Sequence, residues 1–284
     1  MKEVAYVNGV FCDLAEARVS VEDRGFQFAD GVYEVIVAPR KRPFRLRQHL
    51  ERLQRSTAAI DLAVDYDALG LPAVIHEGIE RSGFEDGMIY VQITRGVAAR
   101  DHLYPDAVTP TVVVTFKAKP IYSDELRRRG VALETARDIR WELCHIKAIA
   151  LLPNVMLKNT ARRRGRFDAI ILGPDDSVRE TTCANVFMIR SGVLRTPPTD
   201  EHILHGVTRA YLIECAHDLG IPCAEVSFKA ADLLAADEVF ISSTTMDLMP
   251  VATIDDHPIG CGRAGALTWR LLERFRQGLA AEEQ

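Results

Sequence analysis

The sequence predicts an α+β protein in two domains, and three observations carry that expectation. Strand-patterned and helix-patterned segments mix without the strict alternation of a βαβ sheet. Two apolar strand runs, MIYVQITRG (88–96) and TVVVTFKAK (111–119), end at Pro120, and the pattern restarts at Tyr122-Ser123 with a helix cap. The chain has 284 residues, enough for one large core or two smaller ones. The expected division is a small N-terminal α/β domain over 1–119, a connector at 120–122, and a larger C-terminal domain over 123–284 that carries Lys147.

In chain order, residues 4–14 read as a hairpin, because Asn8-Gly9 supplies the positive φ of a tight turn. A loop leads into a strand where Tyr33, Val35 and Val37 alternate with Glu34 and Ile36. RLRQHLERLQRSTAAIDL is an amphipathic helix with Leu46, Leu50, Leu53 and Ala58 on one stripe; His49 and Arg52, three apart, share a face. Residues 66–82 read as a second helix, stopped by Gly83. After the connector come the helix DELRRRG, the strand VALETARD and a helix opened by Pro153 and ended near Gly165. FDAIILG is a buried strand, and SVRETTCANVFMIRSGVLRTPP reads as two strands around Ser191-Gly192. A helix from Gly206 to Gly220, a strand–hydroxyl loop–strand unit over 237–256 and a last helix complete the chain.

Composition excludes several classes. With 48% hydrophobic and 26% charged residues the chain is ordinary for a globular protein, and a net charge of −5 gives no footprint for nucleic acid. The run Arg162-Arg163-Arg164-Gly165-Arg166 reads as a solvated helix end. No apolar run approaches a membrane span, and the N-terminus has no signal-peptide pattern. The cysteines Cys12, Cys144, Cys183, Cys215, Cys223 and Cys261 form no CxxC pair, so they read as reduced thiols in a cytoplasmic protein without a metal site.

The stretch Arg140–Gly165 organises the chemistry. Of 35 basic residues only seven are lysines, and Lys147 alone is flanked by Ile146, Ala148, Ile149, Ala150, Leu151 and Leu152. A poorly solvated ammonium loses its proton more readily, and a neutral amine is what a Schiff-base lysine needs. The alternative is a lysine that snorkels to solvent. Two stretches suit an anion: Gly206-Val207-Thr208 at a helix start, and Ser242-Ser243-Thr244-Thr245 directly after a strand. Read singly, these are an N-cap and a polar turn. Glu180, ahead of a strand, is a surface carboxylate or one that holds a proton on a heteroaromatic nitrogen. Arg100 and His102, at i and i+2 in a loop, suit a carboxylate or form an ordinary polar loop. A lysine able to form an imine, two phosphate cradles and a carboxylate for a ring nitrogen together describe a site for pyridoxal 5'-phosphate.

The stretches DRGFQFADGVYEV, HLERL, VQITRGVAARDH, DIRWELCHIKAIALLPNVMLKNTAR, VRETTCANVF, ILHGVTR and EVFISSTTMDLMPV span residues 23 to 251 in order. Through them the chain resembles the fold-type IV, pyridoxal-phosphate-dependent aminotransferases, and among them the D-amino acid transaminases. The resemblance implies a homodimer with the cofactor in the cleft between the two domains of each chain. It implies that Lys147 holds the cofactor covalently, Glu180 keeps the ring nitrogen protonated, and Leu204 packs on the ring. It assigns Arg52, Val207, Thr208, Ser243 and Thr244 to the phosphate. It assigns Tyr33, Arg100 and His102 to the substrate α-carboxylate, the last two from the partner subunit, with His49 near the site entrance. The implied reaction moves an amino group between a D-amino acid, D-alanine first, and a 2-oxo acid, 2-oxoglutarate first. Branched-chain L-amino acid or R-selective amine transaminases and aminodeoxychorismate lyases share the scaffold; the Arg-x-His pair distinguishes the D-amino acid enzymes. The chain departs from the pattern at His145, Ala148, Thr181 and Cys183-Ala184.

Overall fold

The structure, a computed structural model, describes residues 1–107 and 109–281. The chain forms two compact units: Met1–Pro120 with Ile146–Ala150, and Ile121–His145 with Leu151 onward.

In the first unit, β1 (Val4–Val7) and β2 (Val10–Asp13) make the expected hairpin, with Asn8 and Gly9 both at positive φ. A short helix, α1 (Arg24–Phe28), stands in the stretch that reads as a loop. Asp23 caps it by accepting from Gly25 N. Then follow β3 (Gly31–Ala38), α2 (Leu46–Ala59), α3 (Tyr66–Leu69), α4 (Leu71–Ser82), β4 (Gly87–Thr94) and β5 (Thr111–Ala118). The helix expected over 66–82 is broken at Gly70, whose φ of 54° takes the backbone out of the helical region. The sheet is antiparallel, in the order β2-β1-β5-β4-β3. Leu53, Leu71, Ile75 and Ile79 from the helices pack with Ile36, Ile89, Val91 and Phe116 in one core.

β3 is the last strand of this sheet's order, and residues 146–150 lie along it. Tyr33 N donates to Lys147 O at 2.9 Å, Ile149 N to Gly31 O at 3.1 Å, and Val32 is bridged to Ala148. The alternate residues Ile146 and Ala148 enter the same core. Lys147, expected in the C-terminal domain, therefore belongs to the first unit. An edge strand's unpaired backbone groups and two buried side chains recruit the segment across the chain.

The second unit contains α5 (Asp124–Arg129), β6 (Val131–Arg137), α6 (Leu152–Arg163), β7 (Asp168–Leu172), β8 (Val178–Thr181), β9 (Asn185–Arg190) and β10 (Val193–Thr196). It continues with α7 (Val207–Asp218), β11 (Cys223–Glu225), α8 (Ala230–Leu234), β12 (Glu238–Ser243), β13 (Asp247–Ile254), β14 (His257–Pro258) and α9 (Ala266–Ala281). The strand order is β11-β10-β9-β12-β13-β6-β7-β8, and β8 also pairs with β9 through Glu180 and Asn185. That pairing closes β9-β12-β13-β6-β7-β8 into a ring. The stretch expected to give two strands around Ser191-Gly192 gives three, because the chain turns at Thr181–Ala184, where Thr181 N donates to Ala184 O at 2.7 Å. Leu133, Ile170, Val186, Ile241 and Met249 belong to this unit's core.

On α4, a Cβ at Gly78 would lie 1.9 Å from Phe116 Cζ on β5. Phe116 is itself buried, so it has little room to yield. Gly78→Ala is therefore expected to destabilise the protein by about 1–3 kcal/mol, seen as a lower urea midpoint. An unchanged midpoint would contradict this packing.

Candidate active site

In the first unit, β3 turns successive side chains to opposite faces. Tyr33 is half-buried on one face, and Glu34 is completely buried on the other. A buried carboxylate requires compensation. Arg52 donates from Nε to Glu34 Oε2 at 2.9 Å and from Nη2 to Oε1 at 2.6 Å. His49 Nδ1 lies 3.0 Å from Oε1. The shared face of α2 thus serves Glu34. His49, expected near a site entrance, is instead 1% exposed, because it packs as a partner of that carboxylate. Burial alone would raise the Glu34 carboxyl, but the Arg52 and His49 charges and hydrogen bonds hold it well below the ordinary carboxylate range. Burial pushes the His49 imidazole down, against the opposing pull of Glu34.

Ser56, one turn beyond Arg52, accepts a hydrogen bond from Lys147 N at 3.3 Å. The apolar neighbours Ile146 and Ala148 point into the core, so they do not surround the amine as the linear sequence suggests. Lys147 Nζ lies instead 4.3 Å from the centre of the Tyr33 ring, which stacks on Tyr90 at 5.5 Å. Arg100 and His102, both exposed, form another group in this unit around Phe28.

In the second unit, Glu180 is 6% exposed. Its Oε1 accepts from Arg140 Nη1 at 2.5 Å and its Oε2 from Leu204 N at 3.3 Å. Arg140 also pairs with Asp138, which in turn accepts from Arg179 Nη1 at 2.6 Å. Burial opposes the Arg140 charge, but the Asp138 hydrogen bond and the Glu180 charge hold its pKa above the ordinary guanidinium value.

Asn185 connects the remaining residues. It lies opposite Glu180 on β8 and Ser242 on β12, and its Nδ2 donates to Leu204 O at 3.0 Å. A Cβ at Gly206 would lie 2.1 Å from Asn185 Oδ1, so glycine lets the chain cross there before α7 begins at Val207. Leu204, Val207, Thr208 and the end of β12 are thereby tied to Glu180. Ser243 and Thr244 are half-buried, and Ser242 Oγ is buried without a hydrogen-bond partner. α7 has no side-chain cap on its first turn. An unsatisfied buried hydroxyl and an uncapped helix start, both next to Asn185, are the kind of donors that suit an anion.

The departing residues Thr181 and Cys183 border a buried anion. Asp168 accepts from Thr181 Oγ1 at 3.1 Å and Thr182 Oγ1 at 2.6 Å, lies 3.5 Å from Cys183 Sγ, and pairs with Lys158 at 2.9 Å. These contacts fasten the turn that follows Glu180. Sequence reasoning missed Glu34, Ser56, Arg140 and Asn185 as supports. Glu34 had a signal: a charge alternating with Val32 and Ile36 on an apolar strand face demands a partner.

The model of the family described as amino-transferase class IV matches residues 31–254. The chain belongs to the class IV aminotransferases. This aminotransferase is 37% identical over 271 residues to a D-alanine aminotransferase of Listeria monocytogenes, covering 95% of this chain and 93% of that one. It is 38% identical over 277 residues to a D-alanine aminotransferase of Bacillus licheniformis, covering 97% and 96%. Its fold matches a T.th. branched-chain amino acid aminotransferase with pyridoxamine 5'-phosphate at a TM-score of 0.92, 28% identity and 97% and 93% coverage. It also matches a 4-amino-4-deoxychorismate lyase of Pseudomonas aeruginosa at a TM-score of 0.84, 26% identity and 96% and 98% coverage. The chain is an α+β, fold-type IV aminotransferase.

The Glu34 group sets a pH dependence for this aminotransferase. Its folded pKa lies below the usual 4.5, so the pairing stabilises above that pH and is lost as pH falls through the folded value. His49, with its folded pKa lowered from 6.5, adds a loss below that pH because the unfolded chain takes the proton more readily. Glu34→Gln is expected to cost about 3–5 kcal/mol near pH 7, by leaving Arg52 without its counter-charge, and to flatten the acid-side decline. Urea unfolding from pH 8 down through the acid range well below 4.5 reads both effects; parallel curves for the two proteins over that whole range would contradict the assignment.

Proposed function

We propose that this class IV aminotransferase is a D-amino acid transaminase acting on D-alanine and 2-oxoglutarate in two alternating half-reactions. The observation that carries this reading is the pairing of Arg100 and His102 on one aromatic ring, a bidentate cation beside a second donor. The D-alanine aminotransferases similar to it across nearly their whole length support the same substrate class.

The donor set fits pyridoxal 5'-phosphate. Lys147 would hold the group covalently. Glu180 would face its ring nitrogen, and Leu204 would pack on the ring. Arg52, Val207, Thr208, Ser243 and Thr244 would bind its phosphate. When bound, the cofactor supplies a carbonyl that takes up an amine and a ring that accepts electrons as the substrate Cα proton leaves. The rest is the work of side chains. Lys147 Nζ, beside the Tyr33 ring, moves the proton at Cα. Glu180, held at both oxygens by Arg140 and Leu204 N, keeps the ring-nitrogen proton in place. Glu34 fixes the Arg52 guanidinium plane from one side. Tyr33, Arg100 and His102 bind the α-carboxylate, and its fixed position relative to the amine sets the stereochemical choice.

In this reading the active form is a homodimer in which Arg100 and His102 serve the partner's site. We assign the protein to the cytoplasm from its scattered reduced thiols; no described helix is long and apolar enough to cross a membrane. The fold match to a branched-chain aminotransferase supports a second reading, an L-amino acid enzyme on the same scaffold.

Purified, cofactor-supplemented protein should lose its cofactor absorbance with D-alanine and keep it with L-alanine. A response to the L form alone, or faster turnover of L-leucine than of D-alanine, would favour the second reading. Lys147→Ala should lower turnover by about 10²–10⁴-fold or more. Glu180→Lys should retain cofactor, seen by its absorbance after gel filtration, and stall proton transfer at Cα. Near-normal rates in either variant would contradict the roles given.

A further inference from the structure

The segment with Arg100 and His102 leaves β4 and is fastened to Asp23–Asp30 at successive points. Asp23 is bridged to Val97, and Arg24 N donates to Gly96 O at 2.9 Å. The Arg24 guanidinium is buried. It donates from Nε to Asp30 Oδ2 at 2.8 Å and from Nη1 to the carbonyl of Asp101, between the two trap residues, at 2.7 Å. Phe28 supplies the next fastening. The Arg24 guanidinium lies 4.9 Å from its ring centre, the Arg100 guanidinium 4.5 Å, and the His102 ring 5.5 Å with a tilt of 49°. Further on, Tyr104 lies 3.6 Å from the Arg95 guanidinium, which also donates to Asp30 Oδ2 at 2.8 Å.

Helix α1 has a reason to sit there. Asp23 caps it and also accepts from Thr94 Oγ1 at 3.0 Å, and a Cβ on Gly25 would lie 2.2 Å from Thr94 Cγ2. The stretch Asp23-Arg24-Gly25-Phe26-Gln27-Phe28 thus locks one short helix on the end of β4 and aims Phe28 at the loop. Exposed arginine and histidine side chains lose rotamer freedom when a ligand fixes them. A ring face that attracts the guanidinium pre-places them and lowers that cost.

We propose that Phe28 and Arg24 are positioning residues that determine recognition of the substrate α-carboxylate by holding Arg100 and His102 in place. This rests on the carboxylate role given to that pair above. Phe28 provides the platform for both side chains, and Arg24 anchors the backbone between them.

The test uses the holoenzyme, D-alanine as substrate, and propionate, a carboxylate without an amine, as competitive inhibitor. In Phe28→Leu the KM for D-alanine and the inhibition constant for propionate both rise about five-fold, with a smaller change in kcat. Phe28→Tyr, which keeps the ring face, restores both constants. Arg24→Lys, which keeps a cation for Asp30 and loses the second donor for the Asp101 carbonyl, shifts both in the same direction and stands in if Phe28→Leu does not fold. Unchanged constants, or a fall in kcat alone, overturn the proposal. If the unaltered enzyme shows no preference for D-alanine, the functional reading fails separately. Propionate binding, followed by the cofactor absorbance, still decides the role of Phe28.

Discussion

A carboxylate taken out of water needs a cation within hydrogen-bond reach, and two such pairs underlie this aminotransferase. Glu34 is completely buried and holds Arg52 and His49; Glu180 is nearly so and holds Arg140. Each pair fastens one segment of the chain to another, because its charge cannot stay inside uncompensated. α2 is docked on β3 by the first, and the Arg140 segment on β8 by the second.

The strand period then converts these internal pairs into placement of neighbouring groups. Glu34 faces inward, so Tyr33 faces the other way, and its backbone N–H holds the carbonyl of Lys147. In the second unit, Glu180 and Asn185 are the residues through which the strand ring closes. Asn185 then reaches Leu204 and leaves room only for glycine at position 206. The ring closure and the start of α7 are thus one arrangement.

The arm with Arg100 and His102 is built differently. Both side chains are exposed; they stack on Phe28, and backbone ties to Asp23 and Arg24 hold the segment that carries them. Such contacts are individually weaker than a buried ion pair. They suit a group that must engage a ligand instead of a fixed internal partner.

Local pattern determined much of this by itself. The hairpin at Asn8-Gly9, the stripe of α2 and the paired apolar strands 88–96 and 111–119 all follow from residue type and spacing, whereas the stretches around Lys147, Glu180 and Gly206 acquire their expected roles from the family resemblance. Tertiary structure alone decided which unit carries Lys147, which side chains surround its amine, that His49 lies inside, that the chain turns at Thr181–Ala184, and that Arg140, Asn185 and Phe28 support the motif residues. The physical reason is common to these cases. Periodicity records which face a residue occupies; edge-strand pairing and neutralisation of buried charge choose partners that lie up to a hundred or more residues away, and no local pattern carries that information.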